Sequence, residues 1–332
     1  MCFRNRYLLA LVTTTCLVAC TPEAALTTDP AEPMTEVSAE QTTGAANSES
    51  LAAGFENPYT SVAEYLTCLR DKDVMLISAH RGGPVRGFPE NAIETFENTL
   101  DHGPMLIETD VRTTADGVFI LLHDEDLERT TNGTGLVSET TYTELQDLNL
   151  RDNRGRLTDF TIPTLEQALD WARDRAILQL DVKRGTPVDG VVDVVAAMDA
   201  LRHAMVITYT TDDALRAASA DPDATISVQI FDTGRLDSLE RQGLPASRIT
   251  AWTGTQGEEP ALWAALNARG VSAAWGSFRT LDEEVERTGD ASQYARLATD
   301  GLNILSSDLH LQAYDAVEKR QNTKAAVTRC NG

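Results

Sequence analysis

Two histidines, an arginine and a pair of alternating carboxylates stand on three short segments of the first half of the chain. The run Ser78-Ala79-His80-Arg81-Gly82-Gly83 is followed by Glu108-Thr109-Asp110-Val111-Arg112 and then by His123-Asp124. Histidines exchange protons near neutral pH, an arginine fork grips phosphate, and paired carboxylates hold a hard divalent cation. These residue types on neighbouring extended segments suit metal-assisted hydrolysis of a phosphodiester. The chain contains only five histidines. The other three, His102, His203 and His310, lie near predicted helix ends outside any such cluster and read as structural or solvated.

Bringing these groups together requires a scaffold in which strand ends meet. Short apolar segments recur at Val74 to Ala79, Met105 to Val111, Ala176 to Val182, Ala204 to Tyr209, Thr225 to Phe231, Ile249 to Thr253, Val271 to Phe278 and Leu302 to Ser306. Helical patterns separate them, so the fold class is α/β. Eight such repeats imply a closed (β/α)8, TIM-like barrel rather than an open doubly wound sheet. Asn91 with Glu94 predicts an N-cap and capping box for a helix with Ile93, Phe96 and Leu100 on one face, ended by Gly103. Thr164 with Gln167 repeats the device. Further helices are predicted over Val188 to Leu201, Asp212 to Ser219, Pro260 to Ala268 and Asp282 to Ala298. A ninth extended segment, Val118 to His123, fits a β-hairpin after the second strand, turning at Asp116-Gly117. A two-residue loop would pair Ala115 with Val118 and, counting back along both strands, Asp110 with His123.

Active sites of such barrels lie at the C-terminal ends of the strands. His80 closes the first predicted strand, Glu108 and Asp110 the second, Asp181 and Lys183 the third. Side chains two apart share a strand face, so Glu108, Asp110 and Asp181 should converge from adjacent strands. Without compensation these carboxylates would repel and resist ionisation, whereas one divalent cation, Ca2+ or Mg2+, turns the repulsion into attraction. Oxygen-only ligation, with no cysteine and histidine cluster of metal-site spacing, argues against zinc. Asn132-Gly133-Thr134-Gly135 is glycine-rich but lacks the strand-to-helix context of a nucleotide-binding loop.

The ordered set His80-Arg81-Gly82, Pro89-Glu90-Asn91, Glu108-Thr109-Asp110-Val111, Asp116-Gly117, His123-Asp124, Arg129-Thr130-Thr131 and the later Asp181-x-Lys183 resembles the glycerophosphodiester phosphodiesterase family. The resemblance is dense from Ile77 to Gly135 and thin beyond Lys183. It implies His80 and His123 as general acid and base, Glu108, Asp110 and Asp181 as metal ligands, and Arg81 and Lys183 on the phosphate. It also implies that the segment from about Glu125 to Pro163 is a small insertion over the barrel mouth. Glu90 and Trp275 are further candidate substrate-binding residues: Glu90 helps position the site or caps the next helix, and Trp275, with Phe231, lines the alcohol pocket or packs in the core. The implied reaction releases sn-glycerol 3-phosphate and an alcohol, with lysophospholipids or other lipid headgroups as alternative substrates and a catalytically silent envelope binding protein as the alternative class. Three departures bear on substrate choice. Asp181 stands where the family usually has glutamate, the late Trp-Thr-x-Asn appears only as Ala274-Trp275-Gly276-Ser277, and the closing Thr-Asp-x-Pro as Ser306-Ser307-Asp308-Leu309.

At the N-terminus Arg4 and Arg6 precede an apolar run too short to span a bilayer, ending in Leu17-Val18-Ala19-Cys20. This resembles a lipoprotein signal of residues 1–19, with lipid on Cys20 as the contact with the membrane. Thr21 in place of an aspartate implies the outer membrane and a periplasmic site in a bacterial envelope. Residues 20–55, rich in Ala, Thr, Glu, Pro and Ser, read as a flexible tether, and residues 56–332 as one barrel domain. A formal net charge of −23 opposes nucleic-acid binding. The resemblance implies a small phosphodiester as the partner. Cys68 and Cys330 are left as a candidate disulfide or as two free thiols.

Overall fold

The computed structural model describes residues 58–331. The expected signal, the lipidated Cys20 and the tether lie outside the described residues.

Eight parallel strands close a barrel. They are β1 (Leu76–Ala79), β2 (Leu106–Thr113) and, after a short hairpin strand β3 (Phe119–Leu121) and the insertion strands β4 (Asn149–Arg151) and β5 (Leu157–Thr161), β6 (Leu178–Val182). The remainder are β7 (Ala204–Thr208), β8 (Thr225–Gln229), β9 (Ile249–Trp252), β10 (Ser272–Gly276) and β11 (Ile304–Ser307). Strand β1 pairs with β11 on one side and β2 on the other, which closes the ring. The (β/α)8 expectation therefore holds, and every predicted strand lies within a residue or two of its observed bounds.

Alternation along the strands sorts residues between two cores. Ile77, Ile107, Leu178, Val206, Ile226 and Leu305 face outward into the helix layer. Leu76, Leu106, Ile177, Met205, Ala274 and Ile304 face inward at the N-terminal end, where Val62, Tyr65, Leu66 and Leu69 of the helix Val62–Arg70 close the floor. Ser61 caps that helix through the Glu64 amide, and Ala63 N donates to Thr225 Oγ1 at 3.0 Å. The last helix, Thr323–Cys330, adds Ala326 and Val327 to the same cluster, and a Cys68–Cys330 disulfide with Cα atoms 6.0 Å apart ties the two helices. Of the two thiol states left open, the structure holds the disulfide.

Three local expectations are corrected. The capping box at Thr164 and Gln167 forms, but Asn91 does not cap its helix. Ala92 is the N-cap of Ile93–His102, and Asn91 instead sits in the left-handed region with φ 60°. The span Asp282 to Ala298 is two helices, Leu281–Thr288 and Ser292–Thr299, because Gly289 adopts a left-handed φ of 74° and ends the first. The hairpin is one residue out of the expected register. Thr114 N donates to Val118 O at 3.0 Å and Leu122 N to Asp110 O at 3.0 Å, so the loop is Ala115-Asp116-Gly117 with Gly117 at φ 84°. A three-residue loop ending in a left-handed glycine is the next most common hairpin connection, and it sets Asp110 opposite Leu122 rather than His123.

The insertion has its own small core, with Leu127, Val137, Leu145, Leu150 and Ile162 packed on Ile120 and Leu122 of the hairpin. It braces the loop after β1, where Gly87 N donates to Asp152 Oδ2 at 3.0 Å. None of its residues lines the cavity at the barrel mouth. The insertion expected over the mouth is a buttress beside the opening.

Candidate active site

Strand β1 ends at Ala79, and the chain turns abruptly through His80–Gly82. Arg81 takes φ 52°, and Gly82 and Gly83 each take φ 81°. A side chain at Gly82 would lie 2.2 Å from the Phe96 ring, and one at Gly83 2.5 Å from His310 Nε2, so both glycines are required by close packing as well as by φ. The turn aims the Arg81 amide at Glu108 Oε2, 2.6 Å away on β2. His80 Nδ1 meets Asp308 Oδ1 at 2.7 Å, and its ring stacks on Phe278 with centroids 4.6 Å apart.

The second histidine is held by an analogous device. His123 Nδ1 meets Asp124 Oδ1 at 2.7 Å, Asp124 pairs with Arg129, and Arg112 donates to the His123 carbonyl at 2.7 and 2.9 Å. Each ring is thus fixed by an aspartate at Nδ1, which leaves its Nε2 for a substrate.

Between them stand the carboxylates. Glu108, Asp110 and Asp181 are all buried and each offers an oxygen within 4.8 Å of the others. Lys183 Nζ bridges Asp110 Oδ1 and Asp181 Oδ2 at 2.6 Å each. Tyr209 Oη donates to both Asp181 oxygens at 2.6 and 2.7 Å. Asn91 serves Asp110 twice: its Nδ2 donates to Asp110 Oδ2 at 2.7 Å, and its Oδ1 accepts from Asp110 N at 2.9 Å.

Burial pushes the Glu108 carboxyl up to about 8, the Asp110 charge adding to the shift and His80 opposing it. Burial would also raise Asp110, but Lys183, His123 and Arg81 overcome it and hold this carboxyl below its ordinary value. The two histidines diverge. Burial pulls His80 down, yet the Asp308 hydrogen bond and the Glu108 and Asp308 charges lift it above its ordinary value. Burial lowers His123, and Asp110 and Asp124 do not restore it. One imidazole thus favours the proton and the other releases it, the pairing that acid and base roles at one pH demand.

A cavity of about 510 Å³ opens over these groups, lined by His80, Arg81, Glu90, Glu108, His123, Asp181 and Lys183, with Asp110 beneath it. Glu90 enters as a clamp: it accepts from Arg81 at 3.1 Å and from Arg129 at 2.7 and 2.9 Å. Trp275 is the exception among the candidates. It lies on the outward face of β10, 6.5 Å from the Trp263 ring, because Ala274 holds the inward register position. Phe231 is 62% exposed and does not line the cavity either. Trp252 and Phe278 supply the aromatic wall instead. Sequence reading also missed Tyr209, Arg112 and Asp308 as site residues. Asp308 had a signal, since it is the aspartate of the altered closing motif and follows the strand beside β1.

Residues 80–237 match the family model for the glycerophosphoryl diester phosphodiesterase family. A crystal structure of a glycerophosphoryl diester phosphodiesterase from Parabacteroides distasonis is 33% identical, with TM-score 0.72, covering 78% of this chain and 92% of that one. A glycerophosphodiester phosphodiesterase of Caldanaerobacter subterraneus is 36% identical over 112 residues, 33% of this chain and 46% of the relative. The chain spans less than half the length of the first curated relatives it matches, at 40%, 37% and 46%. An Oleispira antarctica phosphodiesterase solved with its product sn-glycerol 3-phosphate shares the fold, at 19% identity and TM-score 0.59 over 75% of this chain and 99% of that one.

Proposed function

Because this chain belongs to the glycerophosphodiester phosphodiesterase family, we propose that it hydrolyses glycerophosphodiesters to sn-glycerol 3-phosphate and an alcohol. The observation that carries the reading is the convergence of two aspartate-backed histidines and three buried carboxylates on one cavity.

The donor set fits a hard divalent cation, Ca2+ or Mg2+: three buried carboxylates each offer an oxygen within 4.8 Å of the others. Such a cation, when bound by Glu108, Asp110 and Asp181, supplies positive charge to the phosphoryl oxygens. The remaining work falls to side chains. Arg81, held by Glu90, and Lys183 neutralise the phosphate as its charge grows. His123 takes a proton from the attacking hydroxyl, whose oxygen forms the new bond to phosphorus. His80 gives its proton to the departing alkoxide as the old phosphorus–oxygen bond breaks. The attacking hydroxyl belongs to water or to the glycerol arm of the substrate, and trapping a cyclic phosphate distinguishes the two.

The test is turnover of glycerophosphocholine by residues 56–332 with and without chelator. The expected result is cation-dependent release of glycerol phosphate with a bell-shaped pH profile. An absence of turnover under every cation condition overturns the proposal. We further propose that export and lipid on Cys20 hold the barrel at the periplasmic face of the outer membrane. Palmitate labelling that persists in Cys20→Ala would contradict this.

A further inference from the structure

Seven non-glycine residues among those described have positive φ. Five are aspartates or asparagines, whose short polar side chains tolerate this region. The other two are arginines, Arg81 at φ 52° and Arg279 at φ 62°, and both line the cavity. A long side chain held in this region costs free energy, and such strain collects at ligand sites.

Arg81 is absorbed by the reaction, but Arg279 is not. Three carboxylates of the mouth and of the helix that follows Arg279 are engaged elsewhere. Asp308 takes His80, Glu90 takes Arg81 and Arg129, and Asp282 accepts from Tyr294 Oη at 2.7 Å, Ser307 Oγ at 3.0 Å and Asp308 N at 2.8 Å. No hydrogen bond or ion pair of Arg279 occurs among the described residues. Arg279 is an exposed residue of the cavity lining with no counter-ion among the described residues, in a chain of net charge −23.

Its position follows from its neighbours. A side chain at Gly276 would come within 2.8 Å of both Phe278 and Trp252, so the glycine lets the Phe278 ring lie between Trp252 and His80, stacked at 6.2 Å and 4.6 Å. Arg279 follows directly in the chain and lines the same cavity. Gly276 belongs to the segment that departs from the family's late motif.

We propose that Arg279 is an anion receptor for the alcohol arm of the substrate, so that the enzyme favours glycerophosphodiesters whose alcohol carries a carboxylate or a second phosphate. This rests on the phosphodiesterase reading above. A guanidinium fork pairs bidentately with either group. Glycerophosphoserine and glycerophosphoethanolamine differ only in a carboxylate, and glycerophosphoinositol 4-phosphate and glycerophosphoinositol only in a phosphate.

The experiment measures kcat/KM for both pairs in the wild type, Arg279→Gln and Arg279→Lys. Arg279→Gln should lower the anionic-to-parent ratio in at least one pair by about fivefold or more, as expected for loss of a charge-assisted contact. Arg279→Lys should keep most of the ratio, and salt should compress it in the wild type. The ratio is internal to each variant, so partial misfolding does not mimic the effect. Ratios that stay within about twofold for both pairs, against typical charge-assisted strengths, overturn the proposal. If the wild type turns over none of the four, the phosphodiesterase reading fails. Arg279 is then judged by calorimetric binding of O-phosphoserine against O-phosphoethanolamine: a difference that Arg279→Gln narrows supports the receptor, and an unchanged one refutes it.

Discussion

At the floor of the barrel Leu76, Leu106, Met205 and Ile304 close against the helix Val62–Arg70. Two residues further along the same strands, Ser78, Glu108, Ile207 and Ser306 line the cavity. Both sets occupy the inward face, one layer apart. The lower layer buries apolar surface at roughly 25 cal/mol per Å² and needs no partners. The upper layer buries carboxylates, a lysine and histidines, each of which must be held by another group at a cost in desolvation. One fold therefore divides its labour along the strand axis, with stability drawn from the floor and chemistry placed at the mouth.

The sharpest break in that division comes from the histidines. His80→Ala and His123→Ala should each lower kcat by about 10²–10⁴-fold, the usual reach of general acid–base catalysis. Neither ring touches the floor, so thermal unfolding should move little, and a large loss of Tm in both variants would show that mouth and floor are not separable. Glu108 gives a second break. Its carboxyl is held up to about 8 in the folded state, so the folded protein keeps a proton that the unfolded chain releases. The contribution of Glu108 to the stability of the chelated protein should then be fully present below about pH 4.5, the ordinary range of a glutamate, and be lost as pH rises towards 8. Saturating divalent cation, or Glu108→Gln, should flatten that slope. Each kcal/mol corresponds to about 2–4 °C in Tm for a domain of this size, and equal slopes with and without cation would remove Glu108 from the ligand set.

The converse perturbation acts on the floor. The Cys68–Cys330 bond joins the helix Val62–Arg70 to the last helix across a separation of 262 residues. Its loss in Cys68→Ser with Cys330→Ser should cost about 2–4 kcal/mol, since long loops lose the most entropy on cross-linking. The cavity is at the opposite end, so kcat at 25 °C should stay at the wild-type value. Urea unfolding and steady-state kinetics on the same preparation test both halves. A variant equally stable but slower would reverse the assignment of roles.

How much of this was legible in the sequence differs between the two ends. The eight strands and the ordered motif residues were readable because apolar alternation and residue chemistry are local signals. The hairpin slipped by one because Thr114, rather than Ala115, pairs across the turn with Val118, a choice made by the Gly117 conformation and not by strand composition. The sequence leaves Trp275 between the pocket and the core because Ala274 and Trp275 are both apolar and only the barrel's closure says which turns inward. Tyr209 and Asp308 stand at the ends of strands other than those that carry their partners, Asp181 and His80, and no spacing rule connects them. Asn91 was visible but misread, because asparagine before a helix is usually a cap.

That misreading defines the smallest and most local test. Asn91 is 1% exposed and commits its amide to Asp110 and its neighbour: its Nδ2 donates to Asp110 Oδ2, and its Oδ1 accepts from Asp110 N and, at 2.7 Å, from Thr109 Oγ1. A cap would tolerate Asn91→Asp, since either side chain accepts from helix amides. A tether for a buried carboxylate would not, because the new acid cannot donate and would add charge beside Asp110. Asn91→Ala should cost about 1–3 kcal/mol by leaving buried groups without partners, and Asn91→Asp at least as much. Cation affinity, read by calorimetry, should weaken in both variants, by about 10-fold or more on the pattern of groups that support metal ligands. Loss of stability in Asn91→Ala but not in Asn91→Asp would restore the cap. Loss in both, with weakened cation binding, makes Asn91 the residue through which the chain before the first barrel helix fixes the chemistry at the mouth.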